Sequence, residues 1–213
     1  MSSNFIQALG RTHLYPITDQ PLSGLSHREQ VVLLSNCGAT LIQLREKIDS
    51  PFKFFAQAEA AVRAAHDLGA KVIINDRVDI ALAVKADGVH LGQEDLPPDA
   101  ARRILGSEAI IGYSSHTLEQ ARLAAQMPVD YVAIGPIFDT TTKHSTNATV
   151  GLDGLVRVRE ALGAMPLVAI GGITSENIGA VLKSGADVVA VIADIWVPSK
   201  DSHDKINRLL NYS

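Results

Sequence analysis

The stretch Asp67–Gly92, DLGAKVIINDRVDIALAVKADGVHLG, decides the fold. It leaves a helix end, turns on Gly69, runs through the strand candidate Lys71–Ile74, enters a helical segment Val78–Val84 and returns through a second strand candidate, Gly88–Leu91. Both candidates are near-continuous apolar runs, the pattern of parallel strands covered on both faces. MPVDYVAIGP (Met127–Pro136) and KSGADVVAVIA (Lys183–Ala193) repeat the same form: helix end, short turn, buried strand.

Working outward, the remaining strand candidates are His13–Ile17, Ala39–Leu44, Ala109–Gly112, Tyr131–Gly135, Leu167–Ile170 and Val188–Ile192. Helical segments lie between them at Ser26–Ser35, Pro51–Leu68, Pro97–Leu105, Leu118–Ala125, Leu152–Leu162 and Ser175–Lys183, with a closing helix near Asp201–Leu210. Caps or first-turn prolines open them at Ser26, Ser50-Pro51, Pro97-Pro98, Thr117 and Ser175, and Gly69, Gly106, Gly163 and Gly185 close several. Strict alternation of strands and helices in 213 residues predicts an α/β fold, a closed (β/α)8 TIM barrel, ahead of an open doubly wound sheet. No linker or change of composition divides the chain, so one domain over 1–213 is expected. The irregular, Thr-rich stretch Pro136–Gly151 has the length of a functional lid.

The bulk numbers bound the function. At 46% hydrophobic the chain can bury a full core, and a net charge of −4 gives no reason to expect nucleic acid as a partner. Cys37 stands alone, which excludes an internal disulfide framework and fits a cytoplasmic protein. The longest apolar run, Val188–Ala193, is far short of the roughly 20 residues of a membrane span, and MSSNFIQALGR lacks the form of a signal peptide.

The chemistry sits at the strand ends. In a parallel barrel they all emerge on one rim, which is where barrel enzymes keep their sites. After the second strand, QLREK (Gln43–Lys47) places Gln43, Arg45 and Lys47 on one side of an extended chain, two cations that could grip a diphosphate. Arg45 could instead form a structural pair with a barrel carboxylate such as Asp76. Asp76 and Asp95 end adjacent strand segments, and two carboxylates suit Mg²⁺, which keeps waters and shares phosphate oxygens. Asp76 could instead cap the helix at Val78, and Asp95 the one at Pro97. Glu94 reads as solvated. The run Thr140–Lys143 offers hydroxyls, backbone N–H groups and a cation for a phosphate. Gly171-Gly172 after the seventh strand lets the backbone approach a ligand, or makes a tight turn toward Ser175. Ile192-Ala193 would add N–H groups after the eighth. His90, His116, Trp196 and Cys37 read as structural. No Ser-His-Asp order, CxxC pair, HExxH or P-loop is present. Cations beside carboxylates on one rim point to a phosphorylated, anionic substrate handled with a metal ion.

Taken together, QLREK, IINDRVDIALAVKADGVHLGQEDLP (Ile73–Pro97) and GPIF with TTTK (Gly135–Lys143) resemble the thiamine-phosphate synthase family, from LYPITD (Leu14–Asp19) to VVAVIADI (Val188–Ile195). The resemblance implies a (β/α)8 barrel that joins hydroxymethylpyrimidine diphosphate to a thiazole phosphate, releasing diphosphate and forming thiamine phosphate with Mg²⁺. It implies that Gln43, Leu44, Arg45, Glu46, Lys47, Asn75, Ser114 and Lys143 contact the pyrimidine diphosphate, with Arg45, Lys47, Ser114 and Lys143 acting in catalysis. It further implies that Asp76 and Asp95 hold the metal, and that Thr140, Thr141, Thr142, Gly172, Ile192 and Ala193 bind the thiazole phosphate. The implied reaction is a dissociative substitution with no protein nucleophile. The outer helices of such a barrel could form a homodimer.

Three positions depart from the family's pattern. Asp139 stands where Pro is usual, Ala193 where Ser is common, and HSTNATVGL (His144–Leu152) replaces a Pro-containing segment. Asp139 adds negative charge near phosphates, whereas Ala193 loses a hydroxyl but keeps its N–H. Two other functions compete with this one. A related barrel aromatises the thiazole phosphate, but such isomerases tend to carry His where this chain has Pro136. A non-catalytic phosphate binder would have no use for a metal beside a leaving group.

Overall fold

A computed structural model describes residues 4–140, 148–196, 202–210 and 212. Eight parallel strands lie side by side: β1 (Leu14–Pro16), β2 (Leu41–Leu44), β3 (Lys71–Asn75), β4 (Gly88–Leu91), β5 (Ile110–Ser115), β6 (Tyr131–Ile134), β7 (Leu167–Ile170) and β8 (Val188–Val191). β1 pairs with β8, and each of the others with its neighbour in sequence. The seam between β1 and β2 is closed by a parallel bridge from Ile17 to Gln43, where the Thr18 amide donates to the Gln43 carbonyl at 2.9 Å. The expected (β/α)8 barrel is therefore the fold, and the open sheet is excluded.

The helices are α1 (Asn4–Leu9), α2 (Gln20–Ser23), α3 (His27–Asn36), α4 (Pro51–Asp67), α5 (Val78–Ala83), α6 (Pro98–Leu105), α7 (Leu118–Ala124), α8 (Gly151–Leu162), α9 (Ile178–Lys183), α10 (Ala193–Trp196) and α11 (Ser202–Leu210). Ser26 opens α3 with a full capping box to Glu29, Ser50 caps α4 ahead of Pro51, and Thr117 caps α7. Ser175 does not cap α9. That helix starts three residues later, and the Asn177 side chain instead accepts from the Thr174 amide at 2.8 Å.

Strand alternation sorts the core into two layers. Leu14, Ile42, Leu44, Val72, Ile74, Val89, Leu91, Val132 and Val191 face outward against the helices. Tyr15, Ile17, Leu41, Ile73, Ile110, Tyr131, Val168, Val188 and Ala190 fill the barrel. The first helix, which the sequence reading left out, plugs the end where the strands begin. Its Phe5 ring stacks on Tyr131 with centroids 3.9 Å apart and meets Tyr15 edge-on at 5.8 Å. Tyr131 can cross the interior only because Gly112 has no side chain, since a Cβ there would lie 2.0 Å from Tyr131 Cζ.

At the same end, three aspartates just before even-numbered strands make the same clamp. Asp87, Asp130 and Asp187 accept from the Val72, Ile111 and Leu167 amides of the preceding strand, each at 2.8 Å. Each also meets a basic side chain from the helix before that strand: His66 at 2.9 Å, Arg102 at 2.7 Å and Arg159 at 2.8 Å. One carboxylate so ties a helix, an odd strand and an even strand together. No helix among the described residues is long and apolar enough to cross a membrane.

Candidate active site

The opposite rim collects the strand ends. Gln43 closes β2 with its side chain inside the barrel, only 3% exposed, and its Nε2 donates to the Tyr15 hydroxyl at 3.1 Å. Leu44 faces the other way and is fully buried in the outer core. Beyond it, Arg45 and Lys47 reach the mouth, and both find carboxylates. Arg45 Nη1 donates to Asp19 Oδ2 at 2.9 Å, so the Asp76 pairing weighed for Arg45 gives way to Asp19. Closure explains the exchange, because it seats β1 and its trailing Asp19 beside β2. Asp19 also accepts from the Leu22 amide at 3.1 Å and so caps α2. Asp76 is instead the partner of Lys47 Nζ.

Glu46 turns away from the mouth. Its carboxylate accepts from the amides of Ile48 at 2.6 Å and Asp49 at 3.0 Å, and it stands 3.4 Å from the buried His27 Nε2. His27 Nδ1 lies 2.8 Å from Thr18 Oγ1. Leu44 and Glu46 thus offer a ligand only their backbone, while Glu46 shapes the loop that carries Lys47.

Neither carboxylate caps a helix. Arg77 occupies the N-cap of α5 and Pro97 that of α6, each without a side-chain cap bond. Asp76 holds a left-handed backbone, φ 63°, an uncommon state for a residue with a Cβ, and its amide donates to the His90 carbonyl at 2.8 Å. Asp95 Oδ2 accepts from the Gly92 amide at 2.6 Å. Burial raises the Asp95 carboxyl above the ordinary carboxylate range, and the nearby charge of Asp76 adds to the rise against the Gly92 bond. Two carboxylates share a small space, an arrangement that a cation relieves. They are two and not three: among the described residues no group of three or more His, Cys, Asp or Glu could hold a metal. The pair suits an ion that keeps waters and takes ligand oxygens, as Mg²⁺ does. Next to Asp76, Asn75 is buried at 8% exposure, and its Nδ2 has no hydrogen-bond partner among the described residues. A buried amide donor without an acceptor is costly unless a ligand oxygen supplies one. Glu94 is exposed.

Strand β5 runs further than the sequence suggests, to Ser115, and carries Ser114 to the rim. Ser114 Oγ lies 2.8 Å from His90 Nε2, while His90 Nδ1 lies 2.9 Å from the Tyr131 hydroxyl. At Nδ1 a phenol backs this histidine, where a Ser-His-Asp triad would place a carboxylate. His116 precedes the Thr117 cap, with its Nδ1 2.7 Å from the Gly135 carbonyl.

After β7, Gly171 and Gly172 have φ of 102° and 64°. A Cβ on Gly171 would lie 2.6 Å from Pro136 Cα, and one on Gly172 2.6 Å from the Asp139 carbonyl oxygen. The close approach that demands these glycines is to the loop after β6, whose Phe138 amide donates to the Gly171 carbonyl at 3.0 Å. Thr140 is half-buried and Asp139 exposed on that loop. Thr141, Thr142 and Lys143 lie outside the described residues. After β8, Ile192 and Ala193 lead into α10, whose Trp196 indole donates to the Ile17 carbonyl at 2.7 Å. The Asp194 carboxylate accepts from the Ser175 amide at 3.1 Å and from Lys205 Nζ at 2.5 Å.

Sequence reasoning missed Asp19, Tyr15 and Tyr131. Asp19 carried the same strand-end signal as Asp76 and could have been found. The tyrosines sit inside apolar runs and reveal their polar contacts only once the barrel closes.

Comparison with known proteins gives the family and the fold. A family model described as thiamine monophosphate synthase matches residues 14–195. A thiamine-phosphate synthase from Chloroflexus aurantiacus is 44% identical over 183 residues, covering 85% of this chain and 84% of the relative. One from Albidiferax ferrireducens is 46% identical over 189 residues, covering 88% and 84%. The solved thiamine phosphate pyrophosphorylase from Pyrococcus furiosus superposes with a TM-score of 0.83 at 36% identity, covering 93% of each chain.

Proposed function

The chain belongs to the thiamine monophosphate synthase family, and on that premise we propose how its rim carries out the coupling of hydroxymethylpyrimidine diphosphate with a thiazole phosphate. The products are thiamine phosphate and diphosphate. The bond between the pyrimidine methylene carbon and the diphosphate oxygen breaks, and its electron pair leaves with diphosphate. The electron-rich aminopyrimidine carries the positive charge until the thiazole nitrogen donates its lone pair to the methylene carbon. Such a reaction asks the protein to orient two ligands and to stabilise a departing anion, and asks for no nucleophile.

Arg45, Lys47 and Lys143 receive the diphosphate. Asp19 and Asp76 hold the first two cations in place before the ligand arrives. Asn75 Nδ2 and Ser114 Oγ donate to the pyrimidine diphosphate, with Gln43 beside them. Asp76 and Asp95 hold Mg²⁺, which when bound neutralises charge building on the leaving diphosphate. Thr140, Thr141, Thr142, Gly172, Ile192 and Ala193 take the thiazole phosphate through hydroxyls and backbone N–H groups. Ala193 can serve through its amide alone. The observation that carries the reading is the unpartnered Asn75 amide beside two crowded carboxylates and Lys47 on adjacent strand ends. The enzyme would act in the cytoplasm, and its outer helices are free to form a homodimer.

The test is direct. Purified protein given both substrates and Mg²⁺ releases diphosphate and forms thiamine phosphate; a chelator stops turnover without lowering the melting temperature, and Mg²⁺ restores it. Conversion of the thiazole isomer alone would replace this reading with the isomerase. Ligand-induced thermal stabilisation without turnover would replace it with a binder.

A further inference from the structure

Beneath the rim a chain of hydrogen bonds crosses the barrel from β2 to β5. Gln43 Nε2 donates to the Tyr15 hydroxyl at 3.1 Å, the Tyr15 and Tyr131 hydroxyls are 3.2 Å apart, Tyr131 meets His90 Nδ1 at 2.9 Å, and His90 Nε2 meets Ser114 Oγ at 2.8 Å. Both phenols are fully buried, which holds them protonated, so each has one proton to give.

With the Gln43 amide nitrogen toward Tyr15, one polarity satisfies every proton on this chain. An amide nitrogen can only donate, so the Tyr15 oxygen accepts from Gln43. Tyr15 must then donate to Tyr131, or its own proton is buried without an acceptor. Tyr131, having accepted, donates to His90 Nδ1. That nitrogen is therefore bare and the ring proton sits on Nε2, which donates to Ser114 Oγ. Ser114 keeps its own proton for a further acceptor, and Gln43 keeps its carbonyl oxygen for a further donor.

We infer that this buried chain fixes the hydrogen-bonding sense of its two ends, an acceptor at Gln43 and a donor at Ser114, and so selects a pyrimidine that carries an amino group over one that carries an oxo group. Tyr15, Tyr131 and His90 are positioning residues in this arrangement. The inference rests on the proposed contacts of Gln43 and Ser114 with the pyrimidine diphosphate. An amino group donates to the Gln43 carbonyl. An oxo group at the same position would face it lone pair to lone pair, and the amide cannot turn over without reversing or breaking every link behind it. A site built to bond one polar group discriminates strongly against a substrate that leaves it unpaired.

Tyr131→Phe cuts the chain at its centre and keeps the ring that stacks on Phe5. The freed Gln43 amide can then face either way. Steady-state kinetics with the aminopyrimidine diphosphate and its oxo analogue are expected to show a strong preference for the amino form in the native protein. In the variant the ratio of the two kcat/KM values narrows by about tenfold, the size of one hydrogen bond, while KM for the thiazole phosphate stays unchanged. Equal slowing of both pyrimidines would mean a merely structural role and overturn the inference. Nitrogen-15 NMR of the native protein tests it without a variant: His90 is expected as the Nε2–H tautomer, and an Nδ1–H ring would overturn it. Gln43→Ala separates the premises. If it leaves aminopyrimidine kinetics intact, the Gln43 contact itself is wrong. If it slows them while Tyr131→Phe leaves the ratio alone, the contact stands and the chain's role falls.

Discussion

Replacing Asp76 by Asn separates a metal ligand from a structural residue, and the structure sets both magnitudes. Asp76 caps no helix, since Arg77 holds that position, so no capping energy is lost. Its ion pair is with Lys47, and the two side chains are 48% and 22% exposed. Solvent screening limits such a pair to about 1 kcal/mol or less. The left-handed backbone, φ 63°, is nearly as accessible to Asn as to Asp, so no strain is added. Ala at this position would add about 1–2 kcal/mol of backbone cost and blur the result. Neutralising Asp76 also removes one of the causes that raise the Asp95 carboxyl, which offsets part of the lost pair. The expected stability loss is therefore under about 1 kcal/mol, a shift in Tm of about 2–4 °C or less for a domain of this size. Loss of a carboxylate that holds the metal against a leaving diphosphate should instead lower kcat by about a hundredfold or more, near 2.7 kcal/mol of transition-state stabilisation. Diphosphate release at saturating substrates and Mg²⁺, measured beside a thermal melt of the same sample, gives both numbers. Near-native turnover, or unfolding in place of inactivity, would refute the argument.

Three further outcomes are expected. Asp130→Ala should cost about 2–3 kcal/mol in urea unfolding, because it strips the Ile111 amide and Arg102 of a shared acceptor; kcat/KM should be unchanged, as the clamp lies at the end away from the site. Gly112→Ala should cost about 1–3 kcal/mol by overpacking, since its Cβ would lie 2.0 Å from Tyr131 Cζ while Phe5 stacks on that ring at 3.9 Å; a melt within error of the native protein would contradict it. Burial lowers the pKa of His27 below its ordinary 6.5, against the pull of Glu46, so the folded protein prefers the neutral ring. The stability this contributes is complete above pH 6.5 and is lost as pH falls through the depressed value; His27→Gln should flatten that part of the Tm profile, and an unchanged slope would clear His27 of the effect.

What the sequence makes legible follows from what is local. Lys71–Ile74 and Gly88–Leu91 announce themselves because strands buried on both faces need apolar residues throughout, and both are found where expected. Ser50-Pro51 and Thr117 start their helices because a cap acts within three residues. The losses begin where a partner is distant. Arg45 pairs with Asp19 because closure brings β1 beside β2, and no spacing within QLREK contains that information. NFIQAL is too short to be read as a helix alone, and α1 exists because Phe5 finds the rings of Tyr15 and Tyr131 inside the barrel. In sequence the Gly171-Gly172 pair suggests a ligand or a tight turn, yet its nearest demand is the loop carrying Pro136 and Phe138.

The two ends of the barrel solve opposite electrostatic problems with the same residue type. Where strands begin, Asp87, Asp130 and Asp187 each meet a backbone N–H and a basic side chain, so each carboxylate is answered by the chain itself. Where strands end, Asp95 is crowded by Asp76, and the Asn75 amide is buried without an acceptor. Such features cost stability in the free protein, and folding alone gives no reason to gather them. They become favourable only when an ion with ligand oxygens joins them, and the free energy then released appears as binding. A barrel can carry that cost because the clamps at the other end supply rigidity independently of the ligand. The rim is thus poised for a phosphorylated substrate, and the opposite end keeps the frame on which its geometry depends.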